Sequence, residues 1–280
     1  MSDRPDQTPV VVEASLDNLR SRDVRFLQEA ARLGPLEVRI PSDALVAALT
    51  GAAPRFPAAE RLFLAASLRP VARATVVDRP VSIDMSELAE TGAVLVAREG
   101  DEAVRTRDAA AAHGVRYVRL TDADCAGFPP FEPEASVPGS AVADGPRVLV
   151  TGCYDWLHSG HIRFFLDAAA LGQLYVVVGS DRNVELLKGP GHPLQREAER
   201  RYMVGAVRAV HRAMISTGTG WMDAEPEIAE IGPAIYVVNE DGDQPEKHEF
   251  CLEHGIGYVV LERKPHPGLE ARTSTSLRGF

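Results

Sequence analysis

The sequence predicts an α/β protein made of two doubly wound parallel-sheet domains related by internal duplication. Three observations lead there. The chain repeats itself: with Asp17 set against Asp155, 13 of the 27 positions in Asp17–Asp43 are identical in Asp155–Asp181. Strand-like apolar runs alternate with helical spacing, the pattern of a parallel sheet with helices on both faces. Between the copies, Cys125 to Pro146 is rich in Pro, Gly, Ala and Ser and has neither periodicity, as expected of a linker. The predicted domains are residues 1–125 and 146–280, with 126–145 joining them.

The repeat fixes on core positions such as Leu19/Leu157, Phe26/Phe164 and Ala30/Ala168, and on Ser42-Asp43/Ser180-Asp181. It resumes with slightly larger offsets: Glu60-Arg61 falls on Glu199-Arg200, Glu87-Leu88-Ala89-Glu90 on Glu227-Ile228-Ala229-Glu230, and His113-Gly114-Val115 on His254-Gly255-Ile256. So long a collinear series reads as tandem duplication of one domain of roughly 130 residues. In the second copy Arg147–Thr151 reads as a buried β-branched strand, Gly152 to Gly160 as a turn and His161 to Leu171 as a helix. Leu174–Val178 is the next strand, Glu199–Val210 the next helix, and Ala234–Val238 and Gly257–Leu261 the last strands. Such sheets bind ligands beyond the C-terminal ends of their strands.

Composition narrows the function classes. Apolar residues make up 45% of the chain and charged residues 25%, with a formal net charge of −10 and no Lys/Arg-rich run. Nucleic acid and anionic membranes are therefore not expected as partners. No apolar run is long enough for a transmembrane helix. Met1 to Pro9 is polar and reads as a tail rather than a signal peptide. Cys125, Cys153 and Cys251 fit neither a disulfide framework nor a zinc site, which leads us to expect a cytoplasmic setting.

The sharpest motif is Gly152-Cys153-Tyr154-Asp155-Trp156-Leu157-His158-Ser159-Gly160-His161, which follows a predicted strand and opens a predicted helix. Histidines three apart project to one side of the first turn, and Gly160 leaves room for a ligand at the backbone. With the free N–H groups and partial positive charge of a helix start, this makes an anion site suited to a triphosphate. Read singly, His158 could cap a turn and His161 could be a core histidine.

This segment resembles the signature of the cytidylyltransferase-like nucleotidyltransferases, whose members include cytidylyltransferases of phospho-alcohols and sugar-phosphate nucleotidyltransferases. The resemblance implies Rossmann-like domains, with His158 and His161 as catalytic contacts to the triphosphate and Gly152, Cys153, Tyr154, Asp155 and Gly160 around the nucleotide. Leu187-Lys188-Gly189-Pro190-Gly191-His192-Pro193 resembles the family's lysine-bearing loop, with Lys188 as a mobile catalytic cation. Arg200 matches a family arginine that faces the nucleotide, or a surface ion pair. Asn239-Glu240-Asp241-Gly242-Asp243 resembles a loop near nucleotide and acceptor, with Asn239 and Asp241 as the candidates. Arg272-Thr273-Ser274-Thr275-Ser276-Leu277-Arg278 resembles a phosphate-binding helix start, which brings in Arg272, Ser274, Thr275, Ser276 and Arg278; an ordinary N-cap is the alternative.

The implied reaction moves a nucleoside monophosphate from a nucleoside triphosphate to a small phosphorylated acceptor, with Mg²⁺ accompanying the triphosphate. CTP is the first expectation and ATP the second. A non-catalytic nucleotide-binding or scaffold protein is the rival of another class. A tRNA-charging relative ranks last, because no Lys-Met-Ser-Lys-Ser-like loop is present. In the first copy, Arg20-Ser21-Arg22-Asp23 stands opposite His158-Ser159-Gly160-His161, and Thr50 opposite Lys188. That copy is expected to be degenerate and retained for packing as the inner partner of an intramolecular pseudo-dimer.

Overall fold

The computed structural model describes residues 8–81, 84–100, 104–131 and 145–272. They fall into two compact units, residues 1–127 and 128–280. In the first, β1 (Val10–Glu13), β2 (Leu36–Pro41), β3 (Val71–Val77), β4 (Val94–Arg98) and β5 (Arg116–Leu120) form a parallel sheet in the order β3-β2-β1-β4-β5. Around it lie α1 (Ser21–Ala31), α2 (Asp43–Thr50), α3 (Ala58–Ala66), α4 (Met85–Thr91) and α5 (Val104–Ala112). In the second, β6 (Arg147–Gly152), β7 (Gln173–Val178), β8 (Val210–Ile215), β9 (Ile235–Asn239) and β10 (Gly257–Leu261) take the order β10-β9-β6-β7-β8. Read from β8, that is the order of the first sheet. Its helices are α6 (Ser159–Ala169), α7 (Asp181–Lys188), α8 (Glu197–Gly205), α9 (Glu225–Ile231) and α10 (Pro245–Glu253).

The central strands explain themselves. Val10, Val11 and Val12, like Val148, Leu149 and Val150, are buried, because helices cover both faces of a parallel sheet. The helices that follow bury one stripe each: Val24, Phe26, Leu27 and Ala30 on α1, and Ile162, Phe164, Phe165 and Ala168 on α6. The strands all run parallel, but the direction in which successive strands are added reverses between β1 and β4, and between β6 and β9, so each sheet opens a crevice there. Even irregularities recur. The β2–β3 and β7–β8 pairs shift register at Leu36/Glu37 and at Leu174/Tyr175. Leu16 and Tyr154 both take left-handed backbone, with φ of 50° and 52°.

One predicted boundary is wrong. The helix expected over Glu199–Val210 ends at Gly205, and Val210 begins edge strand β8. Buried Met203, Val204, Ala206, Val207 and Val210 keep an apolar rhythm across the turn, so periodicity could not reveal the break. The start of the predicted linker groups with the second unit: Phe128 and Phe131 pack on Tyr202 with ring centroids 5.5 and 5.2 Å away.

A fully buried arginine ties the crevice loops together in each unit. Arg200 donates from Nε to the Gln195 carbonyl (2.9 Å), from one terminal nitrogen to the Cys153 carbonyl (2.6 Å) and from the other to Asp181 (2.8 Å). Arg61 makes the same set to the Phe56 carbonyl, the Ser15 carbonyl and Asp43. A carboxylate completes the frame: Asp155 accepts the backbone N–H groups of Leu194 and Gln195, as Asp17 accepts those of Arg55 and Phe56. Arg200 was expected to face a nucleotide. It cannot, because its nitrogens are turned onto protein acceptors in a dry interior.

Removing Arg200 takes hydrogen bonds from the Asp181 carboxylate and two carbonyls, and removing Arg61 takes them from Asp43 and three carbonyls, at about 1–3 kcal/mol for each buried group left unpaired. Arg200→Met and Arg61→Met should each lower the urea midpoint of unfolding strongly. A change within error for Arg200→Met would show that the staple carries no stability.

Candidate active site

A cleft of about 210 Å³ opens at the C-terminal ends of the parallel strands β6 and β9, where the strand order reverses. Its wall is built from residues 151–156 after β6, the start of α6, Lys188 at the end of α7, the turn after β9, Lys247 on α10 and Arg263 beyond β10.

His158 is the N-cap of α6, and its Nδ1 accepts the Gly160 N–H at 3.1 Å. A neutral imidazole that accepts at Nδ1 carries its hydrogen on Nε2, which makes that nitrogen a donor. The His161 ring stacks on it with centroids 3.9 Å apart, and Tyr154 meets His161 edge-on at 5.3 Å. Capping and ligand contact are thus compatible roles for one side chain. Two glycines make this packing possible. A Cβ at Gly152 would lie 2.8 Å from the Tyr154 ring, and one at Gly160 would lie 3.0 Å from the His158 ring and 3.3 Å from the Arg272 carbonyl.

Burial pushes the His158 pKa down to about 4, helped by the positive charges of Arg263 and Arg272. Burial also holds His161 well below the usual histidine range, with His158, Arg263 and Lys188 adding to it and a backbone hydrogen bond to Trp156 opposing it. At neutral pH the pair is uncharged, in a surround of cations.

Of the sequence-predicted residues, Gly152, Cys153, Tyr154, Asp155, His158, Gly160, His161, Lys188, Asn239 and Asp241 line this cleft. Asp155 also holds the 194–195 backbone, and Asp241 pairs with Arg263 at 2.6 Å. Arg200 lies outside the lining, in its staple. Arg272 contributes its carbonyl, which accepts from Arg263 at 3.1 Å, while its guanidinium pairs with Glu270 at 3.3 Å. Ser274, Thr275, Ser276 and Arg278 lie outside the described residues. Sequence reasoning missed Trp156 and Phe164 as walls, and Lys247 and Arg263 as cations. Nothing local marks the last two, which stand on elements that close the cleft only after folding. Among the described residues no group of three or more His, Cys, Asp or Glu side chains is placed to hold a metal ion.

The first unit keeps a cleft at the same place, of about 610 Å³, lined among others by Arg20, Arg22, Asp23 and Arg98. Asp23 stands where His161 stands in the second unit. Its carboxylate accepts the Arg20 N–H at 2.9 Å and pairs with Arg98 at 3.2 Å. The crevice survives, but a carboxylate and its own counter-ion occupy the anion position.

A cytidylyltransferase-like family model matches residues 149–266. The FAD synthase of Aciduliprofundum boonei is 36% identical over 123 residues, spanning 43% of this chain and 79% of that protein. The chain belongs to the cytidylyltransferase-like nucleotidyltransferases. This nucleotidyltransferase is also 33% identical over 127 residues to the bifunctional protein HldE of Alcanivorax borkumensis, of whose length it spans 26%. A lipopolysaccharide core biosynthesis protein of Thermoplasma volcanium aligns over 43% of the chain and 98% of its own, at 25% identity and a TM-score of 0.36. Membership identifies an enzyme that acts on a phosphorylated substrate. Among the described residues no helix is long and apolar enough to cross a membrane.

The histidine pair makes the nucleotidyltransferase pH-sensitive. Unfolded histidines take up protons below pH 6.5, whereas folded His158 does so only near 4. The unfolded state binds more protons across that window, so stability falls as pH drops from about 6.5 to 4. His158→Gln/His161→Gln should flatten the fall in melting temperature over this range. An unchanged slope would contradict buried, neutral histidines.

Proposed function

We propose that the second unit transfers a nucleoside monophosphate from a nucleoside triphosphate to a small phosphorylated acceptor. A phosphate oxygen of the acceptor forms a bond to the α-phosphorus, the bond from that phosphorus to the bridging oxygen breaks, and pyrophosphate leaves. The acceptor oxygen is already anionic, so no base is required. The observation that carries this reading is the stacked His158–His161 pair at the start of α6, in the lining of the strand-end crevice together with Lys188.

Each group has a separable task. Nε2–H of His158 and the imidazole of His161 donate to phosphate oxygens as charge builds at the α-phosphate. The α6 terminus adds oriented N–H groups. Lys188 follows the departing phosphates. An arriving triphosphate favours the protonated imidazoles, so binding draws protons into the site. Mg²⁺ would accompany the triphosphate and offset its charge; Asp155 and Asp241 are engaged with the 194–195 backbone and with Arg263 and provide no ready ligand set for it.

For the nucleotide we favour ATP. The Ser-Thr-Ser element leans to CTP, but it spans only a few residues. The FAD synthases of Aciduliprofundum boonei and Methanocella paludicola, 36% and 34% identical, match along most of their own length. The name of their product specifies an adenine dinucleotide. CTP remains the second reading. The acceptor is a phospho-alcohol, a sugar phosphate, a phosphonate or another small phosphate ester.

We also infer that the first unit is a degenerate copy from a tandem duplication and binds no nucleotide. The shared strand order, the twin arginine staples and the Asp23–Arg98 pair support it.

Two measurements test the proposal. Pyrophosphate release across a panel of phosphorylated metabolites should show ATP ahead of CTP by at least about tenfold in specificity; a preference for CTP would move the enzyme to the second reading. His161→Ala should cut turnover by roughly a hundred- to a thousand-fold while leaving the fold intact. Near-wild-type turnover would remove the histidine pair from the chemistry.

A further inference from the structure

Lys247 has no role in the reading above, yet it lines the same cleft. It stands on the first turn of α10, half-buried, and its ammonium donates one hydrogen bond, to the Gly242 carbonyl at 3.1 Å. An ammonium has three donors, so two are left over. No carboxylate lies within ion-pair distance of it among the described residues. The acidic side chains that face it are each taken: Asp241 by Arg263, Asp243 by the Tyr258 hydroxyl at 2.9 Å, and Asp223 by the Ser216 hydroxyl at 2.5 Å. Burial lowers its pKa, against the raising pull of those carboxylates. A cation held in a cleft, short of water and of partners, is arranged to receive an anion.

Position decides which anion. The cations acting on the histidine pair are Arg263, Arg272 and Lys188. The Arg272 backbone closes on Gly160, so the chain leading to the Thr-Ser element meets the start of α6. That is the triphosphate side. Lys247 instead answers to Asp223, which follows β8, and to the turn after β9. Two substrates that both carry phosphate repel each other, and a second cation away from the triphosphate offsets that repulsion.

We propose that Lys247 is the residue that binds the phosphate of the acceptor, from beside the turn after β9. This rests on the nucleotidyl-transfer reading. The probes are the α,β-methylene analogues of ATP and CTP, and inorganic phosphate added to the full chain saturated with whichever analogue binds. Calorimetry of Lys247→Met should show phosphate affinity reduced at least about tenfold, the analogue's Kd within about twofold of wild type, and recovery of phosphate binding in Lys247→Arg. A circular dichroism melt of each variant establishes that it is folded. Unchanged phosphate affinity, or no saturable phosphate site on the loaded wild type, overturns the assignment. Loss of analogue binding with phosphate binding intact moves Lys247 to the nucleotide and overturns it too. If neither analogue binds the wild type, the nucleotidyl-transfer reading itself fails, and the assignment with it.

Discussion

A buried guanidinium holds the working end of this molecule in shape. Arg200 joins the carbonyl after β6, the start of α7 and the segment before α8 into one rigid rim. Those pieces otherwise have little reason to keep a fixed spacing, since loops at strand ends lack ladder hydrogen bonds. Asp155 extends the rim to the Leu194–Gln195 backbone, just past the Lys188 loop. The crevice is therefore held in shape by Arg200 and Asp155, and the imidazoles, Lys188 and Lys247 stand in its lining.

The same frame recurs in the first unit, which we read as a degenerate copy. In the first, Arg61, Asp43 and Asp17 hold the same bonds, and the core stripe of α1 matches that of α6. Losing any of them would cost stability, so the fold itself preserves them. At the crevice, the two units differ at the start of the first helix. Replacing Gly160 by Arg22 and His161 by Asp23 leaves the rim intact while filling the anion position with a carboxylate paired to Arg98. Fold and chemistry separate cleanly along the chain because different side chains carry them.

Much of this was legible in the residues. The repeat revealed two domains, and alternation of strand and helix revealed the parallel sheets. The histidine segment marked the crevice because its chemistry is local: strand end, glycine turn and helix start are contiguous. Arg200 was misread for the opposite reason. An arginine near a nucleotide motif looks like a ligand, and only the fold shows its nitrogens committed to Cys153, Gln195 and Asp181. Lys247 and Arg263 were invisible because each reaches the cleft from an element distant in sequence, with no motif around it. The β8 strand was hidden by an apolar rhythm that passes unbroken from helix to strand.

The central claim is that a shared frame carries one working crevice, in the second unit. Counting sites tests it most directly. Equilibrium dialysis of the full chain against the α,β-methylene analogues of ATP and CTP should give one bound nucleotide per chain, lost in His158→Ala/His161→Ala and retained in Asp23→Asn. Two nucleotides per chain, or a single site indifferent to the histidine pair, would contradict the account.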